Sequence, residues 1–153
     1  MSYKILLAID QFEDGCAAVD FTVGIASVTQ AKVHVVHVRE VPRSLRVPPL
    51  ETEQEAQTVV DGAVAILRAA EIEAEGTAIS DRETRVARRI VEGAASNHCD
   101  AIVLGSLRLR GIQSIMGHGT RERVLRLSPL PVVVTPPSLS VDWRDLASIG
   151  RHG

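Results

Sequence analysis

The chain has 153 residues, 45% of them apolar and 24% charged, with a formal net charge of −2. That describes one globular domain of ordinary size, and the near-neutral balance argues against a nucleic-acid binder, which carries a strongly basic face. No stretch approaches the roughly 20 apolar residues of a membrane span, and Cys16 and Cys99 fit no zinc or CxxC spacing.

Five short apolar runs alternate with helical patterns. The first, Ile5 to Ile9, ends in Asp10 and begins so early that no signal peptide fits before it. With two isolated thiols, that predicts a cytoplasmic protein. Ala18, Phe21, Ile25 and Val28 then recur at steps of three and four, the apolar stripe of a helix. The second run is Val33 to Val38. Its His34 and His37 are three apart on a strand, so they face opposite sides and cannot chelate one metal together. Pro42, Pro48 and Pro49 keep Arg39 to Leu50 irregular. Arg39, Arg43 and Arg46 in that segment either reach an anion at the sheet's edge or stay solvated.

Ala56, Val59, Val60, Ala63, Val64 and Leu67 line a second helix, and Glu51, Glu53 and Glu55 at its start complement its dipole. Ile72 to Ile79 alternates apolar and acidic residues, which predicts an edge strand with one wet face. Ser80 and Glu83 have capping-box spacing for a third helix carrying Val86, Ile90 and Ala94. Ala101 to Leu104 and Val132 to Val134 complete the strands. Strand alternating with helix implies right-handed crossovers and a doubly wound parallel α/β sheet.

The stretch from Asp100 to Pro136 is the most informative for ligand binding. It reads as buried strand, glycine-containing basic loop, helix start at Gly117-His118-Gly119-Thr120, short helix and buried strand. A helix N-terminus at the carboxyl end of a strand presents unpaired N–H groups and a positive dipole end to an anion. Between Gly105 and Arg126 lie five arginines against the single acid Glu122. Gly117, Gly119 and the N–H groups near Thr120 are candidates for an anion nest, with Arg108 adding charge and Thr120 capping the helix or bonding a phosphate oxygen.

Three features carried in order make the chain resemble the universal stress protein family. These are the strand Ile5-Leu6-Leu7-Ala8-Ile9-Asp10 with its polar turn, the strand ending His37-Val38, and the close Arg123-Val124-Leu125-Arg126-Leu127-Ser128-Pro129-Leu130-Pro131-Val132-Val133-Val134. The resemblance covers residues 1–137 and leaves 138–153 as a C-terminal tail. It accompanies the expectation of one Rossmann-like or flavodoxin-like domain, with a five-stranded parallel sheet in the order 3-2-1-4-5. It implies a homodimer formed through the edge strand Val132 to Val134. In nucleotide-binding members, Asp10 and the backbone around Ala8 and Ile9 would contact the nucleoside. Val38 would hold the adenine edge through its backbone, and Leu104-Gly105 would let the chain approach ribose and phosphates.

The family's ATP signature is Gly, two residues, Gly, nine residues, then Gly-Ser or Gly-Thr. Here Gly105 matches, Arg108 replaces the second glycine and His118 the third; a one-residue shift restores Gly119-Thr120 as the Gly-Thr pair. The expected function is a stress-response module that binds an adenine nucleotide, ATP foremost and with or without Mg²⁺, without strong turnover. Two alternatives stand beside it. One is a dimeric regulatory module that binds no nucleotide, engages an unidentified protein partner and uses the tail's Trp143, Leu146 and Ile149 for docking. The other is a slow ATP hydrolase, for which the sequence offers no second carboxylate and base beyond Asp10. A phospho-acceptor receiver built on Asp10, Glu13 and Asp14 is excluded, because Thr135-Pro136 stands where that class needs a lysine.

Overall fold

The computed structural model describes residues 2–10, 15–105 and 113–135, with backbone alone for 15–16 and 113–118. Within them five strands and four helices alternate: β1 Lys4–Ala8, α1 Gly15–Thr29, β2 Lys32–Glu40, α2 Glu53–Ala69, β3 Ala74–Asp81, α3 Val86–Ser96, β4 Ala101–Leu104, α4 Gln113–Leu127 and β5 Val132–Val134. All ladders are parallel and the order is β3-β2-β1-β4-β5. The fold is therefore a doubly wound α/β sheet of the expected order.

The apolar runs become strands because both faces of the sheet are covered. Ile5, Leu7, Val33, Val35 and Val103 pack under α1 and α2, while Leu6, Val36, Ile102 and Leu104 pack under α3 and α4. Ile5, Leu6 and Leu7 are essentially fully buried, each worth about 1.5–3 kcal/mol of transfer free energy. Strand β3 lies at one edge with Glu75 and Thr77 at the surface side of its alternation, as its mixed pattern predicts. Strand β5 lies at the other edge.

Three of the four helix-to-strand turns share one device. Gln30, Glu71 and His98, which follow α1, α2 and α3, all adopt positive φ (57°, 63° and 54°). Left-handed residues there let the chain reverse while the last helical carbonyls find donors. After α2, for example, Ile72 N–H donates to Leu67 O at 3.0 Å.

Two local expectations are corrected. Ser80 belongs to β3, and the 3-10 turn Glu83–Arg85 before α3 has no side-chain cap at Arg82. The Ser80 hydroxyl instead accepts from Arg39 Nη1 at 3.3 Å. The capping box sits at α2, where Thr52 Oγ1 accepts from Glu55 N–H and Glu55 Oε2 accepts from Thr52 N–H. Helix α4 begins at Gln113, so Gly117, His118, Gly119 and Thr120 lie inside it rather than at its start. Their N–H groups fall beyond the first turn and bond within the helix, which removes the nest and the Thr120 cap. Glycine weakens a helix by about 1 kcal/mol but does not end one.

A cleft where the strand order reverses

In an open α/β sheet, ligands sit outside the carboxyl ends of the strands where the winding changes direction. Here that place is between β1 and β4, adjacent strands whose following helices lie on opposite faces. A cleft opens there. Of the residues singled out from sequence, Ala8, Ile9, Asp10, Val38, Leu104, Gly105 and Thr120 line it. Gly105 N–H donates to Ala8 O at 3.2 Å, which ties the start of the post-β4 segment to the end of β1. Gly119 is in α4 without reaching the cleft wall. Arg108 and the tail 138–153 lie outside the described residues, as does the side chain of His118, and Gly117 is described by its backbone in α4.

Sequence reasoning omitted Val36, His37, Glu40, Val86, Ile90 and Arg121, which complete the lining. Val86 and Ile90 belong to the recognised stripe of α3; only the fold shows that this stripe also walls a cleft. Arg121 brings a cation from α4. Arg39 does not line the cleft: it stays partly exposed, and its Nε donates to Glu51 O at 2.8 Å.

The cleft is electrically polarised. Glu40 stands at the end of β2, exposed by area, yet its carboxyl is held above its ordinary pKa of 4.5. Burial of the carboxyl is the largest cause, followed by repulsion from Glu83, Asp10 and Glu51; His37 opposes the shift. Carboxylates thus gather at the β2 end, while Thr120 and Arg121 face the cleft from α4. Hydroxyl or amino donors of a ligand suit the first end, and an anionic group suits the second.

The surroundings of His37 show what it does in this fold. It is buried, with Nδ1 2.8 Å from Ile9 O and Nε2 2.5 Å from Glu51 Oε1. A carbonyl oxygen only accepts, so Nδ1 carries a proton and donates. Glu51 is itself buried, and among the described residues its Oε2 has no hydrogen-bond partner. Of the three acids expected at the start of α2, Glu53 and Glu55 lie in its first turn, whereas Glu51 precedes the N-cap Thr52 and grips the cleft strand. The partner is 14 residues away, so no local spacing reveals it.

His34 lies outside the cleft, between Glu75 Oε1 and Thr77 Oγ1 at 3.3 Å each. Its hydrogen bond holds the Glu75 carboxyl below the usual range. The two histidines do face opposite sides, and among the described residues no group of three or more His, Cys, Asp or Glu could hold a metal ion.

A doubly wound α/β protein with an open cleft at the strand-order reversal is the class this geometry defines. A family model described as the universal stress protein family matches residues 1–136, and the chain belongs to that family. No curated protein matches. A universal stress protein family structure from Burkholderia pseudomallei is 23% identical, with 87% of this chain and 95% of that chain covered at a TM-score of 0.70. The Archaeoglobus fulgidus universal stress protein in complex with dAMP is 21% identical, covering 89% of this chain and 98% of that one at 0.65. A universal stress protein in complex with cAMP is 18% identical, covering 88% and 96% at 0.67. At these identities the likeness is one of fold. Among the described residues, no helix is long and apolar enough to cross a membrane.

Proposed function

We propose that this chain is a cytoplasmic stress-response module that binds an adenine nucleotide in the β1–β4 cleft, with little or no turnover. The observation that carries the reading is the polarised cleft itself. The backbone that ends β1 and β2 and the carboxylates of Asp10 and Glu40 line one part of it, Thr120 and Arg121 of α4 another, and Gly105 is tied to the end of β1. A nucleoside fits the first end and phosphates the second. Two structural neighbours in complex with dAMP and cAMP support the ligand class. ATP is the foremost candidate, and any magnesium would enter on its phosphates. Asp10 and the backbone of Ala8 and Ile9 contact the nucleoside, and Val38 presents its backbone to the base. Arg108 and His118 complete the phosphate end in this reading.

Oligomerisation belongs to the same proposal. Strand β5 is an edge, Val133 is 38% exposed, and Leu125 and Leu127 of the preceding helix α4 are half exposed. An unpaired apolar edge favours pairing with a second copy, which gives a homodimer able to engage an unidentified protein partner.

One observation favours the second reading, a dimeric module that binds no nucleotide. Helix α4 starts at Gln113 and takes Gly117 and Gly119 into its interior, so the phosphate nest expected from sequence is not formed there. Calorimetric titration of the purified chain with ATP, ADP, AMP and cAMP separates the two. Saturable binding at one site per chain supports the nucleotide reading, and no heat at millimolar concentrations of all four selects the interaction module.

A further inference from the structure

The β1–β2 ladder stops one rung early, and the structure shows why. Alternate residues of a parallel strand address opposite neighbours. Val33 and Val41 bond to β3, at Glu73 O and Asp81 O, while Val36 O accepts from Ile9 N–H at 3.0 Å. By that alternation Val38 turns its amide and carbonyl toward the β1 side, past Ala8, the last paired residue of β1. The next rung would run from Val38 N–H to Ile9 O. Among the described residues no backbone bond continues the ladder past Ile9 to Val36. Ile9 O accepts from His37 Nδ1 instead.

We propose that His37 is a positioning residue: by donating to Ile9 O it ends the ladder and keeps the Val38 N–H turned into the cleft for an acceptor nitrogen of a purine base. The recognition half rests on the nucleotide reading above; the ladder half does not. Glu51 fixes the ring. With Oε1 against Nε2, the imidazole must keep Nδ1 toward Ile9, and a rotated ring would lose both bonds at once. Glu51 is in turn held by Arg39 Nε at its carbonyl and by the Thr52–Glu55 capping box that follows. The N-terminus of α2 is thereby linked through two side chains to the strand end that would read the base.

Ordinary structural cross-linking by His37 would leave Val38 exchange unaffected or accelerate it on substitution. The positioning role predicts the reverse. Amide hydrogen exchange is followed by NMR on the full chain without nucleotide, and ring ¹⁵N shifts report the imidazole. In the native protein Val36 N–H is protected, Val38 N–H exchanges at least about a hundredfold faster, and the His37 ring carries its proton on Nδ1. In His37→Phe the freed Ile9 carbonyl takes the Val38 N–H, so Val38 slows toward Val36. Affinity for AMP then falls about tenfold, the equivalent of one hydrogen bond.

His37→Phe leaves Glu51 buried and unpaired, so the double variant His37→Phe/Glu51→Met is measured as well, since it replaces both partners with apolar groups of similar volume. Glu51→Gln keeps a hydrogen-bonding partner against Nε2 and leaves Val38 exchange as in the native protein. Val38 protected as well as Val36 in the native chain overturns the proposal, as does a folded His37 variant with Val38 still unprotected. If AMP binds no form while Val38 exchange behaves as predicted, the nucleotide reading fails and the ladder-ending role of His37 stands.

Discussion

Arg39 Nε donates to the carbonyl of Glu51 at 2.8 Å, so the residue two positions beyond His37 holds the backbone of the residue that His37 grips by its side chain. The proline-rich connection thus ends in a two-point attachment to β2 at the mouth of the cleft. Glu51→Ala leaves a buried imidazole without its partner and is expected to cost about 3 kcal/mol of stability. Arg39→Ala removes one hydrogen bond and costs about 1 kcal/mol. Urea denaturation checks both, and an unshifted midpoint in Glu51→Ala contradicts the attachment.

Gly76 on β3 and Gly24 on α1 predict opposite effects of the same substitution. A Cβ at Gly76 would collide with Val60 Cγ1 and stand 3.2 Å from the backbone oxygen of Val35, so Val60 or the helix that carries it must give way. Gly76→Ala is expected to destabilise by about 1–3 kcal/mol. A Cβ at Gly24 meets nothing within 4 Å, and Gly24→Ala gains about 0.5–1 kcal/mol of helix propensity. Paired thermal melts decide whether the α2–β3 contact is as close as stated.

Glu40 gives a pH dependence of definite sign. Its folded-state pKa lies above 4.5 because burial and neighbouring acids disfavour the carboxylate. The native state therefore binds this proton more tightly than the unfolded chain does. Its contribution favours folding at low pH and is lost as pH rises through the raised folded value. Glu40→Gln should match the native protein in stability near pH 4 and exceed it at pH 7. Denaturation midpoints at the two pH values test this, and a variant less stable at pH 7 contradicts the repulsive acid cluster.

Cys99 is buried, and that burial pushes its thiol up to about 11. Little thiolate exists at pH 8, so alkylation should be slow in the native protein and fast in urea. The measurement is made in a Cys16→Ser background. Rapid native labelling would show that the α3–β4 turn opens readily.

Much of the fold was legible because its signals are strong and local. β1 and β4 are continuous apolar runs, which only a sheet covered on both faces accommodates, and the alternation of Ile72 to Ile79 marks an edge. The start of α4 was not legible, because Gly117 and Gly119 suggest a boundary that the helix passes through. The Ser80–Glu83 spacing misled for a related reason: the Ser80 backbone remains in the β3 ladder opposite Arg39. Seven predicted site residues share the cleft because each sits at the carboxyl end of a strand or on the neighbouring helix. His37 with Glu51 escaped because the pair is assembled by packing α2 on the sheet, across a proline-rich segment that encodes no fixed spacing.

The most direct test of the account is a titration of ¹⁵N-labelled protein with AMP, read residue by residue in amide spectra. The account predicts saturable shifts concentrated at Ile9, Asp10, Val38, Gly105, Thr120 and Arg121, the lining of the β1–β4 cleft. No shifts at millimolar AMP, or shifts confined to the β5 edge, would contradict it.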